Sequence, residues 1–500
     1  RTVKKAALAS LAAGGLVFDR AYCESPICLP SRTTLLTGKR ASHHGVTLHG
    51  ASMRDGERTI VEAFAEQGYL THAVGKIHVR SQVHSGHPES IPDWRAGRYT
   101  DWHGPYAGFN SVDLILGHSN ALLGHYGAWL TREHRDRCHL LWEQHWRKLP
   151  LTCGQGVYDN DIPEDLHATA WCADRAEIAM QHARDTGKPF FLHVGFPDPH
   201  WPINPPPRWL HRYDNTPIPP STPFPNPTGM PKLFGGLAAG TLPPHPYDGG
   251  FHLTKDRRDV EAITRAYWGA ISFIDHHVGR MLASLEHLGL ADNTLVVFTS
   301  DHGEFMGDHG LMTKGGFPYE SLVRVPFLVR FPRRLPVGAR RNGLLSFLDI
   351  PATLAGLCGF DPGLMHDGVN QADAWRDGTS LRRDLDITHF STRGDEGWPD
   401  LHTLITDDGW KLTHHAGENI GQLYHLPSDP NESNNRWALE PAVRERLLRQ
   451  LLDRIIQGWN CQAAHDRIVG AHGEYHRHVM SPQVWGPEMD AITKCQATNT

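Results

Sequence analysis

Leu295-Val296-Val297-Phe298-Thr299-Ser300-Asp301-His302-Gly303 is an apolar run that breaks abruptly into a carboxylate, an imidazole and a glycine. An apolar run of that length between turn signals fits a strand buried on both faces. Upstream, Ile263, Tyr267, Ile271, Ile274, Val278, Leu282 and Leu285 recur at helical spacing, so residues 259–288 are expected to form a long amphipathic helix. A helix feeding a buried strand is the repeating unit of an α/β fold.

The same unit recurs outward from there. Residues 61–67 have helical character, Gly68 stops them, and Tyr69-Leu70-Thr71-His72-Ala73-Val74 follows as a short strand ending in Gly75-Lys76-Ile77-His78. A helix over 163–184 precedes Phe190-Phe191-Leu192-His193-Val194-Gly195-Phe196, which reads as a buried central strand and ends in Pro197-Asp198-Pro199-His200-Trp201-Pro202. Residues 326–330 add a strand and 349–357 a short helix. The alternation predicts an α/β fold with a mostly parallel central sheet flanked by helices. In such folds ligands gather at the carboxyl ends of strands, where the polar clusters after residues 74, 196 and 300 fall. Residues 80–160, rich in Gly, His, Trp and Tyr, show little periodicity and read as a loop region forming a functional surface or lid. The proline-rich stretch 202–246 is not expected to be regular. From about residue 380 the texture changes to short strand-like pieces (401–405, 410–412) and a final helix over 441–458. We therefore divide the chain into a catalytic α/β domain, 1–378, and a smaller C-terminal α+β subdomain, 379–500.

Cys28-Leu29-Pro30-Ser31-Arg32-Thr33-Thr34-Leu35-Leu36-Thr37-Gly38-Lys39 carries the nucleophile candidate. Pro30 suits the first turn of a helix, where its missing N–H costs nothing. Cys28 then lies just outside a helix N-terminus, a place that favours an anion, and Arg32 can swing its planar fork toward that anion. A bare Cys-x-Pro, however, more often marks a buried structural cysteine. Asp301 and His302 together suit a divalent cation, with Gly303 letting the backbone pass close to a bound group, although a strand-end Asp capping a turn accounts for the same residues. Lys76 and His78, one residue apart on a strand, would point the same way.

The longer string resembles the signature of the sulfatase family, Cys-x-Pro-Ser-Arg followed by Thr-Gly. That resemblance implies that Cys28 is oxidised after synthesis to Cα-formylglycine, whose hydrate is the nucleophile. The run Ser300-Asp301-His302-Gly303-Glu304, through Gly307-Asp308-His309-Gly310 to Lys314-Gly315-Gly316 and Tyr319-Glu320, is similar to the second sulfatase metal motif. By it, Asp301, His302 and the modified Cys28 are metal ligands and Lys314 meets the sulfate or the leaving oxygen. Gly75-Lys76-Ile77-His78 resembles the motif whose lysine binds sulfate and whose histidine touches formylglycine, and His200 resembles the leaving-group histidine. Histidine at 302 resembles the branch with choline sulfatases and phosphonate monoester hydrolases, implying calcium or manganese, with magnesium a third option. Asp308 and His309 are read as supporting residues or turn caps.

The resemblance implies an α/β fold of the alkaline-phosphatase superfamily and hydrolysis of a small-molecule or saccharide sulfate ester, with a formylglycine-generating maturation enzyme as partner. The nearest rival is a phosphonate monoester or phosphodiester hydrolase on the same fold, against which Lys76 and His78 count because that branch has Tyr and Thr there. An inactive sulfate-ester-binding relative is the other rival. It rests on the paired acidic residues that sulfatases carry on a first strand, which nothing before Cys28 matches, so the chain is expected to begin late. The basic-then-apolar opening, residues 4–13, reads as a helix ended by Gly14-Gly15 and not as a secretory leader.

Composition narrows the partners. A formal charge of −6 leaves no polybasic footprint, which argues against nucleic acid. No apolar run is long enough to span a membrane. The eight cysteines (23, 28, 138, 153, 172, 358, 461, 495) show no metal-finger spacing and fit free thiols, leaving the compartment open between cytoplasm and periplasm. A homo-oligomer is compatible with the chain.

Overall fold

The computed structural model describes residues 3–118, 123–141, 147–151, 156–241, 256–390 and 399–457. Helix α1 (Ala6–Ala13) leads into strand β1 (Leu16–Phe18), and helix α2 spans Cys28–Thr37. Strand β2 (Leu70–Gly75) and strand β3 (Ser111–Leu114) precede the long helix α3 (Ala168–Thr186) and strand β4 (Phe190–Gly195). Helix α4 (Arg257–His287) feeds β5 (Val296–Thr299), followed by β6 (Phe327–Arg330) and β7 (Ala339–Arg341). The C-terminal part holds β8 (Asp384–His389), β9 (Leu401–Thr406), β10 (Trp410–His415), β11 (Gln422–His425) and helix α5 (Pro441–Gln457).

Two sheets carry the α/β part. One is parallel throughout, in the order β3-β2-β4, with His72 opposite Ser111 and Leu192. The other, β7-β1-β6-β5, is mixed: β1 and β7 run parallel, while β6 runs antiparallel to both β1 and β5. Of these two sheets only the first is parallel throughout, as strand–helix alternation predicts. Between β5 and β6 the chain returns through residues 300–326, which hold only short helical turns, and without a crossover helix the strands pair antiparallel. Strands β4 and β5, read as buried central strands, are half-buried along most of their length, because each is the edge of its own sheet among the described residues.

Helix α4 ties the sheets together. Ile274 and Val278 pack with Leu8 and Leu11 of α1 under Val296, Phe298 and Leu328, and Leu285 packs with Met180 of α3 beside Leu192 and Val296. The Asp275 carboxylate accepts the backbone N–H groups of Ala7 and Leu8, capping a helix that has no N-cap side chain of its own. The strands β8 to β11 form an antiparallel meander covered by α5 through Leu404, Leu412, Leu423, Leu447 and Leu451. Arg382, bidentate on the buried Asp349, joins this subdomain to the first.

Several local expectations change. The 80–160 stretch contains strand β3 and helices at Ile91–Arg95 and Gly124–Glu133. The proline-rich segment includes the helices Pro207–Leu210 and Lys232–Ala239, while residues 242–246 lie outside the described residues. The helix expected from 163 begins at Ala168, capped by His167, after a single 3-10 turn. Cys23, Cys28, Cys138, Cys172 and Cys358 are free thiols; Cys153, Cys461 and Cys495 lie outside the described residues. Among the described residues no helix is long and apolar enough to cross a membrane.

Candidate active site

Cys28 is the first residue of α2 rather than the residue before it, and Ile27 at the N-cap offers no side-chain hydrogen bond. The leading N–H groups of α2 are thus left without a side-chain cap, where they favour an anion. Cys28 is 1% exposed. Lys314 Nζ lies 2.6 Å from its Sγ and His302 Nε2 lies 3.2 Å from it. Burial raises the proton affinity of the thiol, but Lys314, Lys76 and His302 outweigh it and hold the group well below its ordinary value.

The eight residues read from sequence converge here. Arg32 does not aim its fork at the anion position: Nε donates to Asp301 Oδ2 at 2.7 Å and Nη1 to the Lys76 carbonyl at 2.8 Å. It thereby locks the end of β2 to the end of β5 and contributes charge rather than a direct contact. Asp301, half-buried beside Arg32 and His302, is held below the usual carboxylate range because their charges outweigh its desolvation. His302 Nδ1 donates to the Gly303 carbonyl at 2.7 Å, and since a carbonyl only accepts, that nitrogen carries the proton and Nε2 faces Cys28. Burial lowers the His302 pKa, and the Asp301 and Cys28 charges more than restore it. Gly303 does make a close approach, but to backbone: a Cβ there would meet the Ser321 carbonyl oxygen at 2.0 Å.

His200 Nδ1 donates to the Trp201 carbonyl at 2.7 Å, so its Nε2 accepts from Lys314 Nζ at 2.6 Å. Burial and the Lys314 charge bring His200 down to about 4. Lys76, buried near Arg32 and Lys314, falls to about 8, burial being the larger cause. Burial and the Lys76 charge hold His78 well below its ordinary value, with the Cys28 charge opposing them. Strand alternation does not bring Lys76 and His78 together. Both lie beyond Gly75, on a turn in which His78 has φ +58°. The buried Glu89 carboxylate holds that turn, accepting the backbone N–H groups of His78, Val79 and Arg80 and the Tyr106 hydroxyl.

Sequence reasoning missed Glu89 and two histidines. His49 stacks on His78 with ring centroids 5.4 Å apart, and His118 stacks on His200 at 3.7 Å with planes 8° apart. The signal for His118 was the short apolar run Leu114 to Leu116, whose carboxyl end it follows after Gly117. Asp308 accepts from the Thr222 N–H and His309 stacks on Tyr319, so both act as local supports.

One oxygen of Asp301, one ring nitrogen of His302 and Cys28 Sγ lie within 4.8 Å of one another. With the proton of His302 fixed on Nδ1, the three atoms fit a divalent cation as a partial ligand set. His103, Asp113 and His125 cluster equally closely, but that group is already satisfied: His125 accepts the Leu114 N–H at 2.8 Å and donates to the Trp102 carbonyl at 2.6 Å, and Asp113 binds Arg175 at 2.7 Å.

The family model described as Sulfatase matches residues 3–360. The chain belongs to the sulfatase family. A second model, N-sulphoglucosamine sulphohydrolase, C-terminal, matches residues 307–458. An arylsulfatase of Clostridium perfringens (strain 13 / Type A) is 28% identical over 466 residues, 90% of this sulfatase and 88% of its relative. Iduronate 2-sulfatase of Mus musculus is 25% identical over 470 residues, covering 87% of this chain and 72% of that one. Among solved structures, the phosphonate monoester hydrolase of Agrobacterium radiobacter shares the fold at a TM-score of 0.74 and 24% identity, covering 91% of this chain and 92% of that one. A structure in complex with its substrate D-glucosamine-2-N,6-O-disulfate does so at 0.67 and 20% identity, covering 93% and 95%. This sulfatase is a hydrolase of the alkaline-phosphatase-like superfamily, and its α/β fold with a C-terminal sheet subdomain matches theirs.

Proposed function

We propose that this sulfatase cleaves a sulfate monoester at Cys28, after oxidation of that residue to Cα-formylglycine by a maturation enzyme. The observation that carries the reading is the placement of Lys314 Nζ, 2.6 Å from both Cys28 Sγ and His200 Nε2. Sγ stands in for the oxygens of the oxidised residue. An ester whose sulfur meets those oxygens would lay its leaving oxygen against Lys314 and His200. A sulfate monoester needs a nucleophile at sulfur, positive charge on the equatorial oxygens and an acid at the leaving oxygen. Lys314, with His200 behind it accepting its hydrogen bond, is the acid. Lys76 and Arg32 spread the anionic charge. His78, kept neutral by burial, is suited to take a proton from the residue at position 28. A thiol lacks the two hydroxyls on one carbon that let a hydrate attack and later expel sulfate, which is why the oxidation matters.

Asp301, His302 and the oxidised residue 28 would hold a divalent cation, calcium or manganese ahead of magnesium. When bound it supplies Lewis-acid stabilisation of the sulfate oxygens. We assign residues 1–378 to catalysis and 379–500 to a C-terminal subdomain. Relatives named iduronate 2-sulfatase and N-acetylglucosamine-6-O-sulfatase support a saccharide sulfate as the substrate class.

Peptide mass spectrometry across residues 25–32, on protein co-produced with a maturation enzyme, is expected to show the thiol-to-aldehyde loss. An intact thiol there refutes the formylglycine reading. The fold shared with phosphonate monoester hydrolases supports a second reading, which Lys76 and His78 disfavour. Faster turnover of an aryl phosphonate than of the matching aryl sulfate would reverse the choice.

A further inference from the structure

His118 is 4% exposed, and neither of its ring nitrogens has a hydrogen-bond partner among the described residues. A buried donor or acceptor left unpaired is costly, and His118 keeps one of each. Such a group calls for a partner that arrives from outside. Its surroundings say which kind. The ring lies parallel to that of His200, 3.7 Å away, and so sits one ring thickness from the Lys314 side of the site. Burial and the positive charges of Lys76 and Lys314 hold it well below its ordinary value, so a cationic partner is repelled there. The anionic end of an ester is already met by Lys76 and Lys314. What remains complementary to a neutral imidazole with one free N–H and one free lone pair is a group that both accepts and donates: a hydroxyl.

We propose that His118 is a specificity-determining residue that hydrogen-bonds a hydroxyl on the carbon skeleton next to the scissile ester, selecting sugar or polyol sulfates over esters of hydroxyl-free alcohols. The proposal rests on the sulfate-ester reading above and deepens it. The spacing is consistent with this role. A leaving oxygen against His200 and Lys314 places the neighbouring substituent of the alcohol over the adjacent ring, which is His118.

Equilibrium binding to the Cys28→Ala protein, which cannot turn substrate over, separates the two questions. Affinities for glucose 6-sulfate and for 4-nitrophenyl sulfate are measured by calorimetry with and without His118→Phe, which keeps a flat ring to stack on His200. The ratio of the two affinities is expected to shift about tenfold against the sugar ester, the value of one or two lost hydrogen bonds. His118→Gln, which restores a donor and an acceptor, should recover most of the ratio. An unchanged ratio overturns the proposal, whether both esters weaken together, as loss of support for His200 would cause, or neither changes. The hydrolase reading fails by a different result: oxidised wild-type protein that turns over neither ester.

Discussion

Replacing Glu89 with Gln should uncouple the His78 turn from the rest of the site. The carboxylate is 3% exposed. Oε1 accepts the His78 N–H alone, while Oε2 accepts from Val79 at 2.9 Å, Arg80 at 2.7 Å and the Tyr106 hydroxyl at 3.2 Å. An amide keeps one acceptor oxygen. It will retain the more heavily bonded position and turn its NH2 toward His78, setting two donors face to face. Each buried unpaired donor costs about 1–3 kcal/mol, so the unrelaxed variant is destabilised by about 2–6 kcal/mol. His78 also holds φ +58°, a conformation that costs a residue with a side chain about 1–3 kcal/mol and persists only while its surroundings enforce it. Released, His78 relaxes and its ring leaves Cys28. Assayed on an aryl sulfate with oxidised protein, kcat should fall about 100-fold, equivalent to ~2.7 kcal/mol, with KM within about threefold because Lys76 and Lys314 still meet the anion. Glu89→Asp, which keeps the charge, should recover about tenfold of that loss. A variant with lowered Tm but wild-type kcat would refute the reasoning, because the carboxylate would then only stabilise the loop.

Other consequences can be checked directly. Lys76 is charged below about pH 8, since burial depresses its pKa, so kcat/KM should hold steady at neutral pH and decline on the alkaline side with an apparent pKa near 8; a flat profile to about pH 10 contradicts this. Exhaustive chelation followed by dialysis should abolish turnover and lower Tm, with calcium or manganese restoring both; metal at 100 times its Kd is worth about 2.7 kcal/mol of stability, and a Tm indifferent to both treatments argues against a bound cation. Arg382→Met leaves the Asp349 carboxylate, 0% exposed, without its cation and should cost about 3–5 kcal/mol in urea unfolding; a loss below about 1 kcal/mol would show that the hydrogen bonds to Asp349 suffice.

Legibility in the sequence followed the length and regularity of each element. Helix α4 was readable because its apolar stripe, Ile263 to Leu285, repeats over about six turns, and Asp301-His302 because the apolar run Leu295 to Phe298 comes just before it. The pairing direction of β6 was not readable, since it depends on the path of residues 300–326 rather than on any local pattern. Strand β3 is four residues long and sits inside a stretch without periodicity, so the site at its carboxyl end, and with it His118, stayed hidden. The chemistry of Lys76 and His78 is legible in their residue types, but strand alternation does not pair them, since both lie past the end of β2. Their proximity comes from a left-handed turn anchored by Glu89, and spacing alone carries no trace of such an anchor.

The placement of Cys28 makes the centre its own gauge of opening. Its contacts with Lys314 and His302 arrive from 286 and 274 positions along the chain, so they report on the juxtaposition of distant segments rather than on local helix formation. In the closed state the surrounding cations make the thiol reactive while burial keeps reagents away; in the open state access is gained and activation lost. Alkylation of the unoxidised protein under native conditions therefore proceeds at the intrinsic thiol rate scaled by the fraction of time the site is open. Cys23 and Cys172, also buried but with burial raising their pKa, time the opening of two other regions in the same molecule. Three clocks in one chain would show whether the catalytic centre loosens alone or only when the whole fold gives way.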